Sequence, residues 1–158
     1  MKILFLDIDG VLNSTSSCIA YKGFGSPWRI SSKNELKFSD VSMNILKRII
    51  DEFDFHIVLS STWRTSLTHE QFIHMMKLYD IDVSEHFLGF TPELDTIRGL
   101  EIQHFIDSNK LEMEDYIILD DDSDMTKIQK ENHFIKVNGT YGLSSLEYQK
   151  IKQRVNQL

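Results

Sequence analysis

The chain has 158 residues, 41% of them hydrophobic, and a formal net charge of -7. That is enough for one domain with a real core, spanning residues 1–158, and too acidic to hold nucleic acid mainly by phosphate attraction. The single cysteine, Cys18, excludes an internal disulfide, and no apolar run reaches the length of a membrane span.

The first element is a strand, Ile3 to Leu6, followed at once by Asp7 and Asp9. These acids end the apolar run too early for a signal peptide, so the chain reads as cytoplasmic, with no membrane partner. Residues 13–40 follow, with Ser, Gly, one Pro and no clear period. A connection of that length is expected to be a lid or substrate loop. It carries Tyr21, Lys22, Phe24, Trp28 and Arg29, residue types that stack on a base or touch a phosphate.

Val41, Ile45, Leu46, Ile49 and Ile50 share one helix face, and a second strand runs from His56 to Leu59. Thr68 to Gln71 has capping-box form and opens a helix to about Tyr79. Leu100, Ile102, Phe105 and Ile106 predict a further helix starting near Arg98. Strands follow at Tyr116 to Leu119 and Phe134 to Val137, and a second capping box at Ser144 to Glu147 opens a C-terminal helix. Continuous apolar strands alternating with helices predict an α/β fold, a doubly wound, Rossmann-like, mostly parallel sheet with helices on both faces.

In such sheets ligands bind beyond the carboxyl ends of the strands. Asp7 and Asp9 follow the first strand; Ser60, Ser61, Thr62, Trp63 and Arg64 follow the second; Asp120, Asp121, Asp122 and Asp124 follow a third. So many carboxylates at one rim call for a counter-ion, and Mg²⁺ prefers oxygen ligands and bridges carboxylates to a substrate phosphate. Arg98 and Ser60 suit the remaining phosphate oxygens, with Ser61 as an alternative to Ser60 and Lys127 or Lys110 as replacements for Arg98. Arg64 either contacts substrate or pairs with one of the acids, and Trp63 is expected to pack rather than to form a platform.

These parts predict phosphoryl transfer. Asp7 is the nucleophile that forms an aspartyl-phosphate, and Asp9 protonates the leaving oxygen and then activates water. The histidines show no zinc-like spacing, and Cys18 has no neighbouring base.

Asp7-Ile8-Asp9-Gly10, Ser60, Arg98 and Asp120-Asp121, in that order, resemble the haloacid-dehalogenase-like (HAD) phosphatases. "DIDGVLN", "LSSTWR", "RGLEI" and "ILDDDSDM" resemble a compact subgroup associated with RNA-repair and polynucleotide-kinase proteins. The resemblance implies a HAD-like fold without a large cap domain. It also implies Mg²⁺ held by Asp7, the Asp9 carbonyl, Asp120 and either Asp121 or Asp124. The implied substrate is a phosphorylated RNA or DNA end, or a nucleotide. A phosphoacceptor signalling or phosphate-binding module without turnover is the alternative, but those domains place the acidic pair first and the acceptor mid-chain.

Overall fold

The computed structural model describes residues 1–27, 30–111 and 116–156. Trp28 and Arg29, assigned above to the substrate loop, lie outside the described residues. Five parallel strands form one sheet: β1 (Lys2–Leu6), β2 (Phe55–Leu59), β3 (Phe87–Phe90), β4 (Tyr116–Asp120) and β5 (Phe134–Lys136), in the order β3-β2-β1-β4-β5. β3 is the strand that the apolar pattern misses. It is four residues long, carries Gly89, and exposes Leu88, so neither continuous burial nor alternation marks it.

Helices α1 (Thr15–Ala20), α2 (Lys33–Leu36) and α3 (Asp40–Phe53) link β1 to β2, and α4 (His69–Lys77) links β2 to β3. The chain then crosses the sheet through α5 (Arg98–Ser108) to β4, and continues through α6 (Lys127–Asn132), β5 and α7 (Ser145–Val155). The period-2 geometry of the strands explains their unbroken apolarity. Leu4, Leu6, Ile57, Leu59, Ile117 and Leu119 face one layer with Leu46, Phe72, Met76 and Tyr148 from α3, α4 and α7. Ile3, Phe5, Val58, Tyr116 and Ile118 face the other, against Ile102 and Ile106 of α5. Both faces are covered, as a parallel sheet requires.

Both expected capping boxes form, at Thr68–Gln71 and Ser144–Glu147, and a third forms at Thr126–Gln129. The segment 13–40 is less irregular than its sequence suggests. Ser14 caps α1, and the Ser17 hydroxyl donates to the Lys37 carbonyl at 2.8 Å, tying the start of the segment to its end. Among the described residues no helix is long and apolar enough to cross a membrane.

Candidate active site

Strand order reverses between β1 and β4, which is where an open α/β sheet leaves a crevice. Backbone bonds continue just past the strand ends. The Asp7 N–H donates to the Leu119 carbonyl (3.0 Å), the Ser60 N–H to Leu6 (2.8 Å) and the Val137 N–H to Asp120 (2.9 Å). The first residues after β1 and β2 and the last of β4 are thereby locked side by side. Asp7, Asp120 and Asp121 each bring one carboxylate oxygen to within 4.8 Å of the others.

Asp7 and Asp120 are buried, and Asp121 is half-buried. Burial raises the Asp7 carboxyl to about 7, against the opposing pull of a Ser61 hydroxyl hydrogen bond and the Arg98 guanidinium. Burial, then the neighbouring Asp7 charge, push Asp120 up to about 8, opposed by the Asp122 N–H and Arg98. Asp121 is raised too, by burial and then by Asp122. Three crowded carboxyls that resist ionisation, all oxygen donors, fit a hard divalent cation in chemistry and spacing.

Asp121 is pressed between two glycines. A Cβ on Gly10 would lie 2.1 Å from its Oδ2, and one on Gly139 would lie 2.5 Å from the same atom. Gly10 also has φ +77°, a conformation that glycine adopts without penalty. Asp124 has a different task. Its Oδ2 accepts the Arg98 N–H at 3.1 Å, capping the start of α5, and it is not among the converging acids. Of the two acids left open, Asp121 is the one that converges with Asp7 and Asp120.

Arg98 enters the crevice from the first turn of α5. Its Nη1 lies 3.8 Å from Asp7 Oδ1 and donates to the Ser60 carbonyl. Lys127 is exposed and pairs with Glu131, and Lys110 lies beyond the far end of α5, so neither replaces it. The Ser60 hydroxyl is buried with no hydrogen-bond partner among the described residues, whereas that of Ser61 holds Asp7. Arg64 pairs with an acid. It donates to Glu101 Oε2 at 2.8 Å and to the Ser61 carbonyl at 2.9 Å, with both charged side chains buried. Glu101 also accepts the Leu94 N–H and lies 3.8 Å from Arg98 Nε, so this acid steadies both arginines.

Asp9 is exposed and held from two sides. Asn13 Nδ2 donates to its Oδ1 at 2.7 Å, and Trp63 Nε1 donates to both carboxylate oxygens at 3.1 Å. Trp63, as expected, is packed, with its ring 5.6 Å from that of Phe38. Its indole N–H nevertheless reaches the site, from a 3₁₀ turn (Thr62–Thr65) that the Ser61 side chain caps. A pocket of about 580 Å³ opens beside Asp9 and Asp121, walled by Thr15, Cys18, Phe24 and Gly25 and by Gly139 and Thr140.

A family model described as the HAD domain in Swiss Army Knife RNA repair proteins matches residues 3–147. The chain belongs to this family of HAD domains. The match covers the five strands apart from Lys2 at the start of β1, and carries with it the expectation of a phosphatase-type hydrolase. It agrees with the small α/β sheet, whose connections between strands are too short to hold a large cap domain. Comparison with curated proteins and with solved structures found no match.

Proposed function

We propose that this HAD domain is a Mg²⁺-dependent phosphomonoesterase that works through an aspartyl-phosphate on Asp7. The observation that carries this is the convergence of Asp7, Asp120 and Asp121 at the switch point, with Arg98 beside Asp7. Asp7, Asp120, Asp121 and the Asp9 backbone carbonyl would hold the cation. When bound, it neutralises the acid cluster and the charge on the transferring phosphoryl group.

The chain's own residues do the rest. Arg98 and the buried Ser60 hydroxyl bind phosphoryl oxygens, and Ser61 fixes the Asp7 carboxylate for in-line attack. An Asp7 oxygen bonds to phosphorus as the bond to the leaving oxygen breaks, and Asp9 gives that oxygen its proton. Asp9, now a carboxylate, takes a proton from water. The water oxygen attacks phosphorus, the bond to Asp7 breaks, and inorganic phosphate leaves. Asn13 and Trp63 hold Asp9 in place for both transfers.

The substrate we propose is a terminal phosphate on an RNA or DNA end, or on a nucleotide, handled in the cytoplasm. The RNA-repair setting of the family supports this, as does an open site without a large cap. Hydrolysis of p-nitrophenyl phosphate with and without Mg²⁺ tests the activity. Turnover should need the cation and vanish in Asp7→Asn; hydrolysis that survives Asp7→Asn or exhaustive chelation refutes the reading.

A further inference from the structure

We propose that the pocket beside the acid cluster seats a nucleoside as the leaving group, with Phe24 as the residue that stacks on its base. This rests on the phosphatase reading and its nucleotide or chain-end substrate, and adds where the base is held and by which residue.

The pocket, about 580 Å³, lies within the usual range of about 300–1,000 Å³ for small-molecule sites. Asp9, Gly10 and Asp121 line it, beside where the scissile phosphate would sit, and so do Thr15, Cys18, Phe24 and Gly25 of the segment 13–40. There Phe24 lines the pocket while 85% of its surface stays open to solvent. An aromatic ring so exposed gains nothing from the core and offers a bare π face. Its place is set by Gly25, where a Cβ would lie 1.9 Å from the Leu36 carbonyl oxygen, so only glycine lets the backbone lie against α2. The other aromatic residue described in the lining, Trp63, is committed to Phe38 and Asp9. Among the described lining residues Phe24 is therefore the ring available to a ligand.

The polar groups narrow the class. Thr15 and Thr140 line the pocket with hydroxyls that no other described residue engages, whereas the Asn13 amide is taken up by Asp9 and the Gly10 N–H. The charged lining residues described are Asp9 and Asp121; none is basic, and Lys136 acts on Asp121 from outside the lining. Such walls suit an alcohol with one flat aromatic part and hydrogen-bonding edges. A sugar phosphate lacks the aromatic part. A nucleoside has both, as a free nucleotide or as the last unit of a chain.

The test compares kcat/KM of the full chain, with Mg²⁺, for adenosine 5′- and 3′-monophosphate, ribose 5-phosphate and a 3′-phosphorylated oligonucleotide. At least one adenosine monophosphate should exceed ribose 5-phosphate. Phe24→Ala should lower the nucleotide-to-ribose phosphate ratio on the order of tenfold, the usual worth of a base–aromatic stack, and Phe24→Trp should keep it. The oligonucleotide arm tells a chain end from a free nucleotide as the source. An unchanged ratio in Phe24→Ala, or preference for ribose 5-phosphate, overturns the proposal. If no ester is hydrolysed, the phosphatase reading fails instead. Calorimetric titration of the same monophosphates then decides the pocket alone: binding weakened by Phe24→Ala supports it, and no binding overturns it.

Discussion

Two glycine substitutions should separate backbone strain from loss of the cation site. In Gly139→Ala the new methyl carbon starts 2.5 Å from Asp121 Oδ2 and 3.3 Å from its Cγ, so swinging the carboxylate aside relieves the clash. The cost to folding is one displaced rotamer, about 0.5–1.5 kcal/mol. The cost to the site is larger, because Asp121 leaves the converging acids; Mg²⁺ affinity should fall about 10–100-fold, as for other displaced ligand supports. Gly10→Ala adds a methyl 2.1 Å from Oδ2 and 2.9 Å from the Asp121 Cβ, which rotation of the carboxylate does not clear, and it forces alanine to φ +77°. Left-handed strain of about 1–2 kcal/mol plus overpacking of about 1–3 kcal/mol should lower Tm by roughly 5–15 °C. Thermal unfolding without Mg²⁺ reads the strain, and calorimetric Mg²⁺ titration reads the site. Gly139→Ala that unfolds near the wild-type temperature and binds Mg²⁺ with undiminished affinity would refute the placement of Asp121 in the cation site.

Three further outcomes follow from the same geometry. Trp63→Phe keeps the ring against Phe38 but deletes the N–H that Asp9 accepts. Hydrolysis of alkyl phosphates should slow roughly tenfold or more, within the ~10²–10⁴ that a general acid supplies, while p-nitrophenyl phosphate, whose leaving group needs no proton, is spared; equal losses on both would refute a positioning role. Asp124→Ala removes the cap on the Arg98 N–H and should cost about 1 kcal/mol, or roughly 2–4 °C in Tm, with Mg²⁺ affinity retained; a lost cation site would make Asp124 a ligand after all. Asp7 and Asp120, raised from the ordinary 3.8 to about 7 and about 8, keep protons in the folded chain that the unfolded chain has lost. Their contribution to metal-free stability therefore falls as pH rises from about 4 to about 8, and Mg²⁺ competes with those protons. The Mg²⁺-induced gain in Tm should grow from pH 5 to pH 8; a gain independent of pH would contradict the protonated pair.

Much of this arrangement is legible in the sequence because strand ends carry it. Asp7, Ser60 and Asp120 each sit at or just past the end of an apolar run, and parallel pairing in register puts those ends together. Loops beyond the ends carry less information. Asp121 and Asp124 are equivalent by spacing, and only the path of the chain gives one to the acid cluster and the other to the α5 N-terminus. The hold on Asp9 depends on Trp63, 54 residues away, through a ring whose apolar body reads as core and whose N–H does not. Glu101 is hidden similarly: an acid in a helical run suggests a solvated face, yet it is buried between Arg64 and Arg98. By contrast, the Thr126–Gln129 box has the same form as the two that mark α4 and α7, and was there to be read. β3 and the short helices of 13–40 have no such local mark; tertiary contacts such as Ser17 to Lys37 define the latter.

The central claim is that Asp7 attacks phosphorus. The most direct measurement is mass spectrometry of the chain after rapid acid quench during turnover of a phosphoester with Mg²⁺, with the Asp7-containing peptide compared before and after hydroxylamine. A phosphoryl group on Asp7, removed by hydroxylamine and missing without Mg²⁺, is the predicted result. Steady hydrolysis with Asp7 unmodified at every quench time, and the label on another residue or on none, would contradict it.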